Sequence, residues 1–368
     1  MNTKRINILG IRGIPASHGG FETFAEKLSV HLVNSDWDVT VYCQETAKDY
    51  SKINESKWEG IRRIHIPVKG SDAKATVKFD YLSVMHALKQ PGLILTLGYN
   101  TALFNIWYRI KNKINIINMD GIEWKRDKWK WYEKGWLYLN ERVACIIANH
   151  LIADHPEIKN HLKTRVRDSK ITMIPYGARE VLHADLSLLH KYGLTEKSYA
   201  ILIARPEPEN SILEIVRAFS LKKRNHKLVV LGDYNRDNAY HQEILAIASD
   251  EILFLGAIYN HEELDTLRYF ASLYIHGHTV GGTNPSLIEA LAAGQPVLAH
   301  DNKFNKWVAG SKAHYFTGAQ SCAAEFDMLL QNDTELSLMS SWSRERFQEE
   351  FTWNRVLSKY EKLLVNWL

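Results

Sequence analysis

Two glycine-rich loops and a few charged residues at strand ends carry the chemistry legible in this sequence. The first loop runs Gly10-Ile11-Arg12-Gly13-Ile14-Pro15-Ala16-Ser17-His18-Gly19-Gly20, between an apolar strand pattern and a helical one. Glycines let backbone amides approach an anion, and a helix start adds unpaired N–H groups and a favourable dipole. The spacing is neither G-x-G-x-x-G nor G-x-x-x-x-G-K-[ST], which weakens dinucleotide and P-loop readings. A plain strand-to-helix turn competes with the anion cradle on equal terms.

The second loop lies in His276-Gly277-His278-Thr279-Val280-Gly281-Gly282-Thr283-Asn284-Pro285-Ser286-Leu287-Ile288-Glu289. Gly281 and Gly282 free the backbone, Thr283 or Asn284 caps the following helix, and Pro285 suits its first turn, so a second anion cradle is expected. Glu289 sits among Leu287, Ile288, Ala290 and Leu291 and needs either a neighbouring cation or a ligand hydroxyl, of which a ribose hydroxyl is favoured. Arg205 ends an apolar run, where a guanidinium can neutralise phosphate oxygens; an ion pair between domains is the alternative. Asp120 ends another apolar run beside Gly121. It is placed to orient an acceptor hydroxyl or to steady positive charge as a donor bond breaks. Glu123 is a second acceptor contact, against which stands simple pairing of these acids with Lys125 or Arg126. No clustered His, Asp or Glu set suggests a metal; His276 and His278 are read as shaping the pocket.

These residues need elements to hold them. Strand patterns at 6–10, 39–42, 61–66, 93–97, 114–119 and 145–148 alternate with helical ones, which predicts a doubly wound parallel sheet. Proline and glycine break the pattern at 173–178, where a hinge is placed. Alternation then restarts at 200–204, 228–231, 252–255, 273–275 and 297–299. Trp353, Val356, Tyr360, Leu363 and Leu364 recur at helical spacing in a closing segment that suits packing back across the domains.

Length and composition agree. A chain of 368 residues exceeds one ordinary core, and 45% hydrophobic with 24% charged residues is globular composition. A net charge of +4 does not argue for nucleic acid. Cys43, Cys145 and Cys322 are far apart and read as reduced buried thiols. No run approaches the ~20 apolar residues of a membrane span, and Met1-Asn2-Thr3-Lys4-Arg5 leads into a strand rather than a signal core, so a cytoplasmic location is expected, with contact at the inner face of the membrane.

Taken in order, these motifs resemble the retaining glycosyltransferases of family 4. The resemblance spans nearly the whole chain: Gly19-Gly20, Ile174-Pro175-Tyr176-Gly177, Arg205, Gly232, Phe254-Leu255-Gly256, Pro285 to Ala290, and Gly294-Gln295-Pro296-Val297. It implies an α/β chain of GT-B architecture, with two facing Rossmann-like domains, parallel sheets and a C-terminal helix crossing back. An acceptor domain is expected at 1–178, a nucleotide-sugar domain at 179–345, and the returning helix at 346–368. It gives Gly19, Gly20 and Arg205 to the donor diphosphate, Glu289 to the ribose, and backbone groups near Ile258 and Tyr259 to the base; Gly282 and Thr283, through their amides, and Asn284 are further expected donor contacts. Asp120 and Glu123, with Arg12, face the acceptor, and Asp120 and Arg205 are the expected catalytic residues. At two donor positions the chain departs from the family: Gly281 replaces a glutamate and Asn210 a lysine.

The departures, with Asn118-Met119-Asp120-Gly121-Ile122-Glu123-Trp124-Lys125-Arg126, look like the rhamnosyltransferase branch. This implies metal-independent, retaining transfer of L-rhamnose from dTDP-L-rhamnose, without a cofactor, to a polyprenyl-diphosphate-linked GlcNAc-type acceptor in O-antigen or capsule synthesis. Other donor sugars, a GT-B epimerase and a catalytically silent nucleotide-sugar binder are the rival readings. A helix after Asp127 carries Trp129, Tyr132, Trp136, Leu139 and Val143 in one stripe and Arg126, Lys130 and Lys134 in a basic ridge. Residues 125–136 are therefore expected either to touch an anionic membrane or to pack in the core with a solvated basic face.

Overall fold

The computed structural model describes residues 4–17, 19–46, 50 and 52–368; His18 of the first loop and the opening residues 1–3 lie outside the described residues. Two compact units result. One comprises the chain up to Tyr176 together with Trp353–Leu368, the other Gly177–Thr352.

The first unit is built from β1 (Arg5–Leu9), α1 (Gly20–Asn34), β2 (Asp38–Thr46), β3 (Asn54–Trp58), β4 (Ile61–Val68), α2 (Ala73–Ala87), β5 (Leu93–Leu97), α3 (Ile106–Ile110), β6 (Asn115–Asn118), α4 (Trp131–Ile147), β7 (His150–Ala153), α5 (Pro156–Lys163) and β8 (Ile171–Met173). Its eight-stranded sheet has the order β3-β4-β2-β1-β5-β6-β7-β8. All neighbours are parallel except β3, which pairs antiparallel with β4 through a hairpin at Glu59 and Gly60, both at positive φ. β3 is polar and on the edge, which is why apolar patterning does not reveal it.

The expected strand at 145–148 is instead the end of α4. Cys145 and Ala144 continue the buried stripe of Leu137, Asn140 and Glu141, and the strand proper begins at His150. A four-residue apolar run fits either a strand or the inner face of a helix, and the helical stripe before it decides.

The second unit runs β9 (Tyr199–Ile203), α6 (Ile212–Ser220), β10 (Lys227–Leu231), α7 (Ala239–Ile247), β11 (Ile252–Gly256), α8 (His261–Tyr269), β12 (Leu273–His276), α9 (Pro285–Ala292), β13 (Val297–His300), α10 (Lys303–Ala309), β14 (His314–Phe316), α11 (Ala319–Leu329) and α12 (Asp333–Glu350). Its six-stranded sheet is parallel throughout in the order β11-β10-β9-β12-β13-β14. Such strands are buried on both faces, so they read as continuous apolar runs.

The closing segment divides later than position 346. All of α12 stays in the second unit, where Ala178 bridges Thr352, and only α13 (Trp353–Val365) returns to the first. There Val356, Leu357, Tyr360, Leu363 and Leu364 join Phe24, Ala25, Leu28 and Leu32 of α1 in one core. Glu361 of α13 accepts from His31 Nε2 at 2.9 Å, Ser35 Oγ at 3.1 Å and Trp37 Nε1 at 3.3 Å. Burial alone would raise this carboxyl, yet those bonds hold it below the usual range.

Candidate active site

Each sheet has a place where neighbouring strands lead off in opposite directions, and open α/β sheets bind ligands outside the strand ends there. In the second unit that place is between β9 and β12. Arg205 follows β9 and the loop Gly277 to Asn284 follows β12, so the topology brings together two motifs about seventy residues apart in sequence. Asn210 donates to the Arg205 carbonyl at 2.8 Å, and its Oδ1 meets His278 Nδ1 at 2.7 Å. The Thr279 amide donates to the Glu209 carbonyl at 2.9 Å. Gly277 lies so close that a Cβ there would fall 2.0 Å from the Asn210 carbonyl oxygen. Asn210 is thus a strut that fixes the Arg205 turn. The guanidinium of Arg205 itself is exposed and has no ion-pair partner among the described residues.

Asn284 caps α9 through Ser286 N, with Pro285 in the first turn as expected. Ser286 Oγ donates to the Ile203 carbonyl at 3.0 Å, which ties this helix start to β9. Gly282 has φ 114°, and Thr283 is buried. Gly281 is glycine for a steric reason: a Cβ would lie 2.2 Å from Phe304 Cζ of α10. The ring fills the space that a side chain at 281 would take.

Glu289 departs from expectation. Its partner is a neighbouring cation, Arg268 of α8, which also lies 3.9 Å from Asp265. The Glu289 side chain remains 39% exposed, so it keeps acceptor capacity for a ligand hydroxyl. Tyr259 follows the edge strand β11, two strands from β9, with a ring 78% exposed. Behind the loop, His276 is buried with Nε2 unpartnered among the described residues. Burial first, then His278 and His300, hold it far below the ordinary histidine range and therefore neutral. No group of three or more His, Cys, Asp or Glu placed to hold a metal ion occurs among the described residues.

In the first unit the strand directions part between β1 and β5. Gly10 presses against β5, where a Cβ would be 2.1 Å from the Leu97 carbonyl oxygen. Gly19, at φ 93°, precedes α1 without a side-chain cap, so Gly20 opens the helix as expected. The preceding amides are already taken: Ala16 N donates to Glu26 at 2.7 Å and Ser17 N to Glu22 at 3.3 Å. Two carboxylates of α1 thus close the loop internally, and its anion-holding capacity narrows to the helix start. Arg12 is exposed, and its carbonyl bonds Gln44 N of β2 at 2.7 Å, on the side of β1 away from β6.

Asp120 follows β6 in the left-handed region at φ 51°. Its amide is held by Asn118 Oδ1 at 2.9 Å, and Asn118 in turn accepts its place from Tyr360 of α13, donating to that hydroxyl at 2.7 Å. Burial, then the nearby charge of Glu123, pushes the Asp120 carboxyl up to about 6. The acid that pairs is Glu123: Oε1 meets Arg126 at 2.9 Å, Oε2 accepts from Trp129 Nε1 at 3.4 Å, and its amide donates to Tyr99 at 2.8 Å. Glu123 is therefore a buried support rather than a free acceptor contact. Sequence reading missed Asn118, Tyr99 and Tyr360; a polar residue at the buried end of an apolar strand was the available signal for Asn118.

The aromatic stripe of α4 also differs from one of its readings. Tyr132, Trp136 and Leu139 are 52%, 38% and 48% exposed, while the opposite side is buried. The stripe is not core. The basic ridge beside it is partly spent, since Arg126 pairs with Glu123 and Lys134 with Asp127 at 3.3 Å. No helix among the described residues is long and apolar enough to cross a membrane.

Residues 189–345 match the family Glycosyl transferases group 1, and residues 3–179 match a domain of unknown function, DUF1972. Alpha-monoglucosyldiacylglycerol synthase of Streptococcus pneumoniae is 29% identical over 186 residues, 48% of this chain and 41% of that protein, so the match spans less than half of the relative's length. Sucrose-phosphate synthase from Thermosynechococcus elongatus superposes with a TM-score of 0.83 at 16% identity, covering 99% of this chain and 98% of the other. Anabaena HepE in complex with UDP and glucose gives 0.78 at 14% identity over 99% and 100%. The chain therefore has the GT-B fold, and residues 189–345 of its second unit are similar to the group 1 glycosyltransferases.

Proposed function

We propose that the protein transfers a sugar from a nucleotide diphosphate donor to an acceptor bound at its first unit. The observation that carries this is the β9/β12 crossover of the second unit. An exposed Arg205, with no ion-pair partner among the described residues, stands on a strutted turn beside a capped helix start and the Gly281-Gly282-Thr283 backbone. That arrangement suits a pyrophosphate leaving group, whose developing charge the guanidinium and amides stabilise. Glu289 reaches a ribose hydroxyl beside its Arg268 contact. Retention follows if the diphosphate departs on the face where the acceptor attacks and takes the acceptor proton, so no strong protein base and no metal is required. The HepE complex with UDP and glucose supports a nucleotide-sugar donor for this fold.

The finer reading is L-rhamnose from dTDP-L-rhamnose, passed to a polyprenyl-diphosphate-linked GlcNAc-type acceptor of surface polysaccharide synthesis. Its support is the replacement of an acid by Gly281 and the Phe304 ring, which offers a sugar an apolar surface in place of a hydroxyl-binding carboxylate. The glucosyl name of the Streptococcus relative favours a glucosyl donor as the second reading. A thermal-shift panel of dTDP-, UDP- and GDP-sugars separates them, since only a bound donor raises the melting temperature. Arg205→Ala should weaken donor binding about 30-fold, the loss of roughly 2 kcal/mol of charge-assisted bonding. Unchanged affinity would reject the diphosphate assignment. Product analysis with and without acceptor distinguishes transfer from epimerisation or silent binding.

A further inference from the structure

We propose that the outer surface of α2, α3 and α4 docks on an anionic lipid bilayer. This deepens the lipid-linked acceptor reading, but its test needs neither donor nor acceptor, so the two fail separately.

Topology puts the three helices side by side. Steps from β4 to β5, β5 to β6 and β6 to β7 all run in one direction along the sheet, and right-handed crossovers then place their helices on one face. α1 steps the other way and lies on the opposite face with α13. Tyr108 of α3 shares a core with Phe79 and Val84 of α2, and the short turn Ala102–Asn105 packs against both α2 and α4.

The outward sides of these helices are apolar where a water-facing surface should be polar. On α3, Ile106, Trp107 and Ile110 are 40%, 41% and 58% exposed. On α4 the stripe of Tyr132, Trp136 and Leu139 continues at helical spacing to Ile146, 72% exposed, and Trp131 stands at 84% beside its start. On α2, Val77 and Tyr81 line a shallow apolar groove of about 470 Å³ with Phe104, and Lys74 and Lys78 stand at its rim. Isolated exposed apolar residues are ordinary, but a continuous set on one face is not.

Charge selects the occupant. Arg109, Lys111 and Arg142 are exposed on this face and have no acidic partner among the described residues. The acids of the same helices are committed elsewhere: Asp80 accepts from Thr101, Glu133 from the Lys130 amide, and buried Glu141 from Trp124, His161 and Arg165. Aromatic and aliphatic side chains together with these cations match a headgroup layer of negative charge over hydrocarbon. A protein partner with an acidic rim is the rival.

Co-sedimentation with vesicles of phosphatidylcholine, alone or mixed with phosphatidylglycerol, tests the proposal on the full chain. Wild type should bind the mixed vesicles at least about tenfold better than the neutral ones, as electrostatic attraction to anionic lipid requires. Trp107→Ser/Ile110→Ser/Ile146→Ser should lose that binding about tenfold or more, and Arg109→Glu/Arg142→Glu should lose it with a weakened salt dependence. Leu221→Ser/Leu338→Ser, exposed in the second unit, should bind like wild type. An unchanged melting temperature in each variant establishes that folding is intact. Failure of wild type to bind mixed vesicles, or equal binding by wild type and both α3–α4 variants, overturns the proposal.

Discussion

Replacing Asp120 by Asn should make the protein more stable and less active, in a pH-dependent way. The carboxyl is raised from 3.8 to about 6, first by burial and then by the neighbouring Glu123 charge. A group with a folded pKa above its unfolded value holds extra protons in the native state between those values, so stability falls as pH rises from about 4 to about 6. Each pKa unit is about 1.4 kcal/mol, which sets a ceiling of roughly 3 kcal/mol; partial contact with water reduces the expectation to about 2 kcal/mol. Asn is neutral at every pH, nearly isosteric, and tolerant of the left-handed backbone found here. Urea denaturation from pH 4 to pH 8 should therefore show Asp120→Asn matching wild type at the acid end and exceeding it by about 2 kcal/mol above pH 7. If the ionised carboxylate serves the acceptor, turnover should fall on substitution, and in wild type it should rise with pH through about 6. A variant with no stability gain above pH 7, or with the same gain at pH 4, would refute the claim that Asp120 ionises at a cost.

Two further outcomes follow from the packing. Gly281→Ala should cost about 1–3 kcal/mol, because its Cβ meets the Phe304 ring, and Gly281→Ala/Phe304→Ala should recover much of that loss; thermal melts check both. Glu361→Gln should loosen α13 by about 1 kcal/mol near pH 7, since the carboxylate is held low by His31, Trp37 and Ser35. Its contribution is present above the unfolded carboxyl range and is lost as pH falls through the lowered value, so wild type and variant should converge below about pH 4 in denaturant titrations.

Much of the framework was open to sequence reading because parallel sheets are buried on both faces. β5 was predicted residue for residue, and most other parallel strands within one or two positions, from continuous apolar runs. β3 escaped because an edge strand buries little and keeps polar residues. The run at 145–148 misled because short apolar stretches do not distinguish a strand from a helix face.

Local sequence determined the turns and caps: glycine at 19 and 282, asparagine and proline at the start of α9, and an arginine just after β9. Those features depend on neighbours along the chain. Partnerships were decided only by tertiary structure. Glu289 found Arg268 on another helix, Glu22 and Glu26 took loop amides expected to be open, and Phe304 closed the space beside Gly281. The same holds for the α4 stripe, whose spacing fits a core face and a lipid-facing one equally well. Which side a helix buries depends on where the sheet lies, and that direction is set by contacts distant in sequence.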